Sequence, residues 1–373
     1  MTNGQTQERA AAPRKLRQIV LTGGGSAGHV TPNLALLDPL RDAGWEAHYV
    51  GSYGGIERDL VARAGVPYHA VDTGKLRRYA SWQNAVDPLR TLRGIGQAWR
   101  LLGRLRPDAV FSKGGFVAVP VVIGAWLRRI PIVVHESDRS PGLANRLSFP
   151  FAARICTAFA DTLPQVRNAQ RVVCTGSPIR PELLAGDRKR AERRFGIDPQ
   201  RSLVLVFGGS LGARAINQVV AEYARELPED LEILHVCGKG QLDPTLAGLP
   251  RYRAFEYMND EFADALARAD VVVARAGANS LAELLALSKP ALLVPLPADA
   301  SRGDQLENAR VYAERGYGLV VQQNELTRAT LDSALRRLLT DAHTFQTRMQ
   351  KDRPADATRA IVAVLNDVAN ADP

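Results

Sequence analysis

The sequence predicts an α/β fold in which two similar Rossmann-like domains face each other across a cleft. The first observation is a unit that occurs twice: an apolar run, a glycine-rich loop and a helix-like stretch. The loops are residues 23–29 and 208–212, and they follow the apolar runs 18–21 and 203–207. Such loops present backbone N–H groups and a helix N-terminus to an anion. One loop in each half of the chain predicts paired domains.

The second observation is an order of elements that is repeated in the two halves of the chain. A strand, a glycine, a helix, a proline and another strand follow one another over residues 108–134 and again over residues 270–294. The chain has 373 residues, of which 46% are hydrophobic and 23% charged, and this length and composition are typical of a globular protein with two cores.

Expected strands alternate with helical stretches, a pattern typical of parallel sheets. The strands are residues 18–21, 46–50, 109–111, 132–135, 154–156, 171–175, 203–207, 232–237, 252–255, 271–274, 291–294 and 318–321. Helices are expected at 33–40, 86–105 and 213–225. The expected domains are a disordered lead-in (1–17), a first domain (18–177), a second domain (178–353) and a C-terminal helix (354–373) that returns to the first domain. Residues 176–196 are the expected hinge.

The cysteines and apolar stretches indicate the compartment. Cys156, Cys174 and Cys237 have none of the close spacings of a metal or redox motif, so we expect core thiols in a reducing compartment. The first 17 residues lack the apolar core of a signal peptide. The longest apolar stretch, residues 116–127, is too short to cross a bilayer, so no transmembrane helix is expected.

The net charge of +9 and the pI near 9.7 indicate an anionic partner. Between residues 75 and 106, Asp87 is the only acid among eight bases interleaved with apolar residues: Lys75, Arg77, Arg78, Arg90, Arg93, Arg100, Arg104 and Arg106. Such a segment can lie on an anionic membrane surface, or it can form a solvated helix face over its own core. Both interpretations stay open. No nucleic-acid-binding signature is present, so nucleic acid is not an expected partner.

A nicotinamide-dependent oxidoreductase is a rival interpretation, because Gly23, Gly25 and Gly28 satisfy the pattern G-x-G-x-x-G. That class needs an acidic residue at the end of the second strand to hold a ribose. Here residues 49–52 end the strand without an acid, and Glu57 comes too late. The rival is therefore disfavoured.

Seven motifs, in a fixed order and over nearly the whole chain, resemble the MurG family. They are GGGSAGHVTP (23–32), KGGFV (113–117), HESD (135–138) with PGLAN (141–145), GSPIR (176–180), GGSLGAR (208–214), RAGANSLAE (275–283) and DQLENA (304–309). The family is the peptidoglycan N-acetylglucosaminyltransferase, a GT-B enzyme on the cytoplasmic side of the membrane. The resemblance implies inverting transfer of N-acetylglucosamine from its uridine diphosphate ester (UDP-GlcNAc) to lipid-linked N-acetylmuramyl-pentapeptide. It implies no cofactor and no protein-bound metal.

The resemblance also implies a donor site made of Ser26, Ala27, Gly28, Asp138, Arg180, Ser210, Met258, Glu283 and Gln305. A metal-free transfer must stabilise the departing diphosphate with N–H groups, a helix end and a cation. The loop with Ser210 would supply the amides and Arg180 the cation. Glu283 matches the family's ribose-binding acid, Gln305 the contact with the sugar hydroxyls, and Met258 the backbone that contacts the uracil. The alternatives are a surface hinge cation for Arg180, an exposed helix residue for Glu283 and a helix cap for Gln305.

The acceptor hydroxyl loses a proton as it attacks, so a base is expected near the mouth of the cleft. His29, directly after the first glycines, is the first candidate, and Glu136 is the second. The alternative for His29 is a structural ring that orders the loop. His135 fits a packed supporting group equally well.

Three motifs depart from the family's commonest pattern, at positions that include Ala27, Asp138 and Leu211. Asp138 stands in place of an amide, which changes a hydrogen-bond donor into an acceptor at a sugar contact. These departures keep a second function open, a related GT-B transferase with another nucleotide sugar or lipid acceptor. An alternative from a different class is a UDP-sugar epimerase with the same two-domain architecture.

Overall fold

The structure, a computed structural model, describes residues 16–74, 83–160, 162, 169–209, 213–299, 303–354 and 356–371. Three parts of the sequence predictions lie outside these ranges. They are most of the predicted lead-in (residues 1–15), the predicted phosphate-binding Ser210 with the neighbouring Leu211, and the first part of the basic segment, residues 75–82.

The first domain contains a seven-stranded sheet in which every strand pair is parallel. The spatial order is β3-β2-β1-β4-β5-β6-β7. The strands are β1 (Arg17–Thr22), β2 (Trp45–Gly51), β3 (Tyr68–Ala70), β4 (Ala109–Ser112), β5 (Ile132–Glu136), β6 (Arg154–Thr157) and β7 (Val172–Cys174). The helices are α1 (Ala27–Leu34), α2 (Leu37–Asp42), α3 (Ile56–Arg63), α4 (Gln83–Leu105), α5 (Ala118–Leu127) and α6 (Leu143–Ser148).

The second domain repeats this arrangement with six parallel strands in the order β10-β9-β8-β11-β12-β13. The strands are β8 (Ser202–Phe207), β9 (Leu231–Val236), β10 (Tyr252–Phe255), β11 (Val271–Ala274), β12 (Ala291–Leu293) and β13 (Gly318–Val320). The helices of this domain are α7 (Pro181–Leu184), α8 (Arg188–Phe195), α9 (Arg214–Arg225), α10 (Glu261–Arg268), α11 (Ala278–Ala286), α12 (Asp304–Glu314), α13 (Arg328–Thr340) and α14 (Ala342–Asp352), and α15 (Ala357–Asn370) follows them in the chain.

The fold class predicted from the sequence is confirmed: two doubly wound α/β domains, as in GT-B proteins. The twelve predicted strands all form, with ends within one residue of the predicted bounds. Sequence reasoning missed β3, a three-residue strand at the edge of the first sheet. A run this short has no readable alternation, and its pairing with β2 decides its conformation.

The predicted helix at 33–40 is wrong in its bounds. The chain becomes helical at Ala27, directly after the glycines, and α1 ends at Leu34 before a separate α2 begins. Pro39 has no N–H to donate to the carbonyl of Ala35, so one continuous helix would leave that carbonyl without its partner. The early start brings Gly28 and His29 into the first turn of α1.

The C-terminal helix α15 packs against the first sheet. Ile361 and Leu365 are fully buried in the same core cluster as Ile19 and Phe111. The Oδ1 atom of Asn366 accepts hydrogen bonds from Trp45 Nε1 at 3.0 Å and from Arg17 Nη1 at 3.3 Å. The chain therefore crosses between the domains twice.

The predicted hinge, residues 176–196, is mostly helical. Helices α7 and α8 fill much of it, and Leu183, Ala191 and Phe195 are buried in the core of the second domain. The first crossing is thus confined to the residues just before α7. It passes the second crossing at Gly176, where φ is +79° and a Cβ atom would lie 2.8 Å from Cγ of Pro354.

Two of the three cysteines are buried, Cys156 and Cys237, as predicted. The prediction for Cys174 is wrong, because its side chain is exposed on β7, the edge strand of the first sheet. Within the described part of the chain, no helix combines the length and the apolarity needed to span a bilayer.

Candidate active site

A cavity of about 650 Å³ lies between the two domains. In both sheets its walls begin where strands end: after β1, β4 and β5 in the first domain and after β8 and β11 in the second. This is where doubly wound sheets place ligands. The cavity is lined by all of the predicted site residues that the structure describes: Ser26, Ala27, Gly28, His29, Glu136, Asp138, Arg180, Met258, Glu283 and Gln305. Ser210 lies outside the described residues, next to Gly208 and Gly209, which line the cavity.

The first glycine loop is held by Glu57, the acid that sequence reasoning set aside. Its buried carboxylate accepts from the N–H of Gly25 at 3.3 Å and from Ser52, through the backbone N–H at 3.1 Å and the hydroxyl at 2.5 Å. Gly25 has φ +83°, and a Cβ atom there would lie 2.5 Å from the ring of Phe116. Only glycine fits this turn, because any larger residue would be strained by the positive φ and would clash with Phe116.

His29 follows this loop in the first turn of α1, and its ring is half-buried. The Nδ1 atom lies 3.1 Å from the backbone oxygen of Lys113. Because a carbonyl oxygen only accepts, Nδ1 carries the proton of the neutral ring, and the lone pair lies on Nε2. A neutral ring with a basic Nε2 is a form that can accept a proton.

Lys113 is a buried cation that sequence reasoning missed. Its Nζ atom donates to His135 Nδ1 at 2.7 Å and to the hydroxyl of Ser137. The Nε2 atom of His135 in turn donates to the carbonyl of Gly176 at 2.8 Å. Burial lowers the pKa of Lys113 to about 7, although the carboxylates of Glu136 and Asp138 oppose the shift. Lys113 thus binds His29 through its backbone carbonyl and, through His135, is linked to Gly176 at the crossing between the domains.

His135 is a packed supporting group, one of the two interpretations made from the sequence. Its side chain is fully buried, and burial together with the Lys113 charge lowers the pKa of His135 well below the usual value. The ring is therefore neutral at physiological pH.

Glu136 lines the cavity, but its carboxylate is used within its own loop. One oxygen accepts from the N–H of Asp138 at 2.9 Å, and the other accepts from the N–H of Gly142 at 3.0 Å and the amide of Asn145 at 2.8 Å. Burial raises the pKa of Glu136, and the nearby charge of Asp138 adds to this shift. Glu136 holds the loop that carries Asp138, so the geometry favours His29 over Glu136 as the base.

Arg180, just before α7, and Glu283, in α11, both line the cavity and form an ion pair, with Nη2 and Oε1 3.4 Å apart. Burial raises the pKa of Glu283, and the Arg180 guanidinium partly offsets this. Gln305, in the first turn of α12, accepts from the N–H of Leu296 at 3.1 Å. Met258 lies between β10 and α10 and also lines the cavity.

Polar residues outside the predicted set join the two domains across the cavity. Asn279 Nδ2 in α11 donates to the carbonyl of Gly28 at 2.9 Å. Asn308 in α12 donates to the Asp138 carboxylate at 3.0 Å and accepts from the N–H of Arg139 at 3.1 Å. Both asparagines lie within motifs quoted above, but neither was assigned a role, because a contact between domains has no signature in the sequence.

Asp138, the departure at an amide position, therefore has an amide partner in the other domain. Its acceptor oxygen matches the donor Nδ2 of Asn308, so the substitution is compatible with this contact between the domains.

Within the described residues, no cluster of three or more His, Cys, Asp or Glu side chains has the arrangement of a metal site.

The chain matches two family descriptions, the glycosyltransferase family 28 N-terminal domain over residues 19–157 and the glycosyltransferase family 28 C-terminal domain over residues 203–363. A relative from Geobacillus kaustophilus (strain HTA426) is 46% identical over 95% of this chain and 99% of its own length. Its name is UDP-N-acetylglucosamine--N-acetylmuramyl-(pentapeptide) pyrophosphoryl-undecaprenol N-acetylglucosamine transferase.

Among solved structures, Acinetobacter baumannii MurG is similar with a TM-score of 0.75 and 27% identity, over 94% of this chain and 99% of that chain. A UDP-GlcNAc 2-epimerase from Neisseria meningitidis has a TM-score of 0.68 over 94% of this chain and 100% of that chain, but only 13% identity, so this likeness concerns the fold alone. The high identity over almost the full length, the two matched domains and the motifs in the cavity lead to one conclusion: the chain belongs to glycosyltransferase family 28 and, within it, to the MurG family.

Proposed function

We propose that this protein transfers N-acetylglucosamine from UDP-GlcNAc to undecaprenyl-pyrophosphoryl-N-acetylmuramyl-pentapeptide in peptidoglycan synthesis. An acceptor hydroxyl attacks the anomeric carbon from the face opposite the diphosphate, so the configuration inverts. The new bond joins the acceptor oxygen to that carbon, the bond to the diphosphate oxygen breaks, and UDP leaves. The main support for this proposal is the cavity between the domains, where motifs from seven separate stretches of the chain meet.

His29 would take the proton of the attacking hydroxyl. Its Nδ1–H bond to the Lys113 carbonyl leaves the basic lone pair on Nε2, and the ring lies on the first-domain wall of the cavity. A neutral imidazole with a basic ring nitrogen can accept this proton as the new bond forms, which is general-base catalysis.

Arg180 and Glu283 would exchange partners when the donor binds. The ribose hydroxyls donate to the Glu283 carboxylate, and the Arg180 guanidinium, released from its 3.4 Å ion pair, turns to the diphosphate. The guanidinium and the amides at Gly208 and Gly209 then stabilise the negative charge that develops on the departing diphosphate.

The acceptor's polyprenyl tail stays in the bilayer, so the enzyme must work at a membrane surface. Helix α4 offers a face for this contact, since it carries three exposed large apolar side chains, Leu89, Leu92 and Trp99. We propose that this face and the adjacent cations Arg90 and Arg93 hold the protein on the anionic cytoplasmic surface of the cell membrane.

One assay tests the proposed reaction. UDP-GlcNAc with a radiolabelled sugar is offered either with lipid-linked muramyl-pentapeptide or with simple glycerolipids, and the labelled product is separated from the donor. We expect label on the muramyl-pentapeptide acceptor alone. Label on a glycerolipid instead would replace the acceptor in this proposal, and label on neither would reject the transfer.

A further inference from the structure

A second cavity, of about 500 Å³, lies on the first domain between the edge strand β3 and helix α4. Its polar lining consists of Tyr53, Tyr68, His69, Gln97, Arg100 and Arg104. None of these residues lines the cleft between the domains. The proposed transfer reaction gives this cavity no role.

Two arginines on α4 provide the positive charge of this cavity. Arg100 and Arg104 are one helical turn apart, so they lie on the same face of the helix. Neither forms a hydrogen bond or an ion pair with any residue that the structure describes. Two other arginines of this helix form ion pairs. Arg90 Nη1 lies 3.8 Å from Asp87 Oδ1, and Arg93 Nε lies 3.0 Å from Asp72 Oδ2. Arg90 and Arg93, which do not line the cavity, are thus paired with carboxylates, whereas Arg100 and Arg104, which line it, are unpaired among the described residues.

A histidine pair lies on the sheet side of the cavity. His48 Nε2 lies 3.0 Å from Gln18 Oε1, which only accepts, so His48 Nδ1 accepts from His69 Nε2 at 3.3 Å. Besides burial, the nearby His48 and Arg104 lower the pKa of His69, which indicates a positive potential there. The adjacent carboxylate of Asp72 is bound to Arg93 and to Gln97 Nε2, so it does not neutralise the two arginines.

We infer that this cavity binds a phosphate group between the guanidinium groups of Arg100 and Arg104. Two guanidinium forks offer paired N–H donors that match the geometry of phosphate oxygens. Tyr53, which is 57% exposed, can cover the organic part of a phosphoester. The phosphate could belong to a small soluble phosphoester or to a phospholipid headgroup, because α4 also carries the exposed apolar side chains. The inference does not depend on the proposed transfer reaction.

The test uses the full chain labelled with ¹³C in its histidine rings, and the reporter is the His69 resonance. Glycerol 3-phosphate is titrated in one arm, and nanodiscs with phosphatidylglycerol or with phosphatidylcholine alone are used in the other. UDP is present throughout to occupy phosphate sites in the cleft. The resonance is assigned with His69→Gln, and His235 and His343, on the second domain, serve as internal controls.

Two variants with the same change in net charge separate the site from general electrostatics. Arg100→Gln with Arg104→Gln should weaken the effect of phosphate on His69 by about tenfold or more, since two charge-assisted contacts are lost. Arg336→Gln with Arg337→Gln, two exposed arginines on α13 of the second domain, should leave it within about twofold. A shift with glycerol 3-phosphate assigns the site to soluble phosphoesters, and a shift only with phosphatidylglycerol nanodiscs assigns it to a headgroup. No shift in either arm, or equal losses in the two variants, overturns the inference.

Discussion

The ion pair between Arg180 and Glu283 gives the sharpest prediction for the donor site. Replacing Glu283 with alanine removes the proposed acceptor of the ribose hydroxyls. Hydrogen bonds to a charged group contribute about 1–3 kcal/mol, so the Kd of UDP should rise roughly 5- to 160-fold. The Glu283 side chain is 15% exposed, so these bonds form with little competition from water.

The same substitution should change the stability of the fold only slightly. The Arg180 side chain is 40% exposed, and pairs with such a solvated partner contribute at most about 1 kcal/mol. Burial also raises the pKa of Glu283, which means that the folded state disfavours its charged form. Loss of the carboxylate therefore removes an unfavourable burial together with a weak pair, and we expect a change in unfolding free energy within about 1 kcal/mol.

Isothermal titration calorimetry with uridine and with UDP separates the two roles of the pair. Uridine has the ribose but no phosphate, so it should lose the full contribution of Glu283. UDP should lose less, because Glu283→Ala also frees Arg180 for the diphosphate. Arg180→Gln is the matched control, and it should weaken UDP binding but not uridine binding. Unchanged affinity for both ligands in folded Glu283→Ala would remove Glu283 from the donor site.

Three further predictions follow from the cleft and from α4. His29→Ala should lower turnover by roughly 100-fold or more with little change in UDP affinity; initial rates within a few-fold of the parent would make His29 a loop-ordering residue. The pKa of Lys113 is lowered to about 7 in the folded protein. Between pH 7 and the usual pKa of lysine, the folded state therefore binds fewer protons than the unfolded state, so the free energy of unfolding increases as the pH rises through this range. Relative to Lys113→Met, the parent's unfolding free energy in urea should therefore increase from pH 7 to pH 9, and parallel curves would contradict the burial argument. Replacing Arg77, Arg78, Arg90 and Arg93 by glutamine should reduce sedimentation with anionic liposomes by about 1 kcal/mol per cation at the surface, and high salt should have the same effect. Turnover on a short-chain soluble acceptor should survive, and liposome binding that ignores both salt and substitutions would leave the contact to apolar residues.

The sequence by itself determined the fold class and most of the strands. Runs such as Leu203–Phe207 are apolar on both faces, as strands buried in a parallel sheet must be, and their glycine-rich ends mark the strand-to-helix turns. The motifs also selected the residues of the site, because residues at strand ends in both halves meet at the cleft of any doubly wound pair. Ten of the eleven predicted site residues line one cavity, and Ser210 lies outside the described residues.

Only the tertiary structure decided how those residues are supported. Lys113 reads as a surface cation in the sequence, yet it is buried, because β4 and β5 bring it beneath His135 and Ser137. Glu57 lies too far along the chain for a ribose contact, yet its carboxylate reaches back to the N–H of Gly25. Such contacts join residues that are 22 to 32 positions apart in the chain, a separation over which neither propensity nor periodicity carries information. They exist because the packed sheet fixes both partners at once.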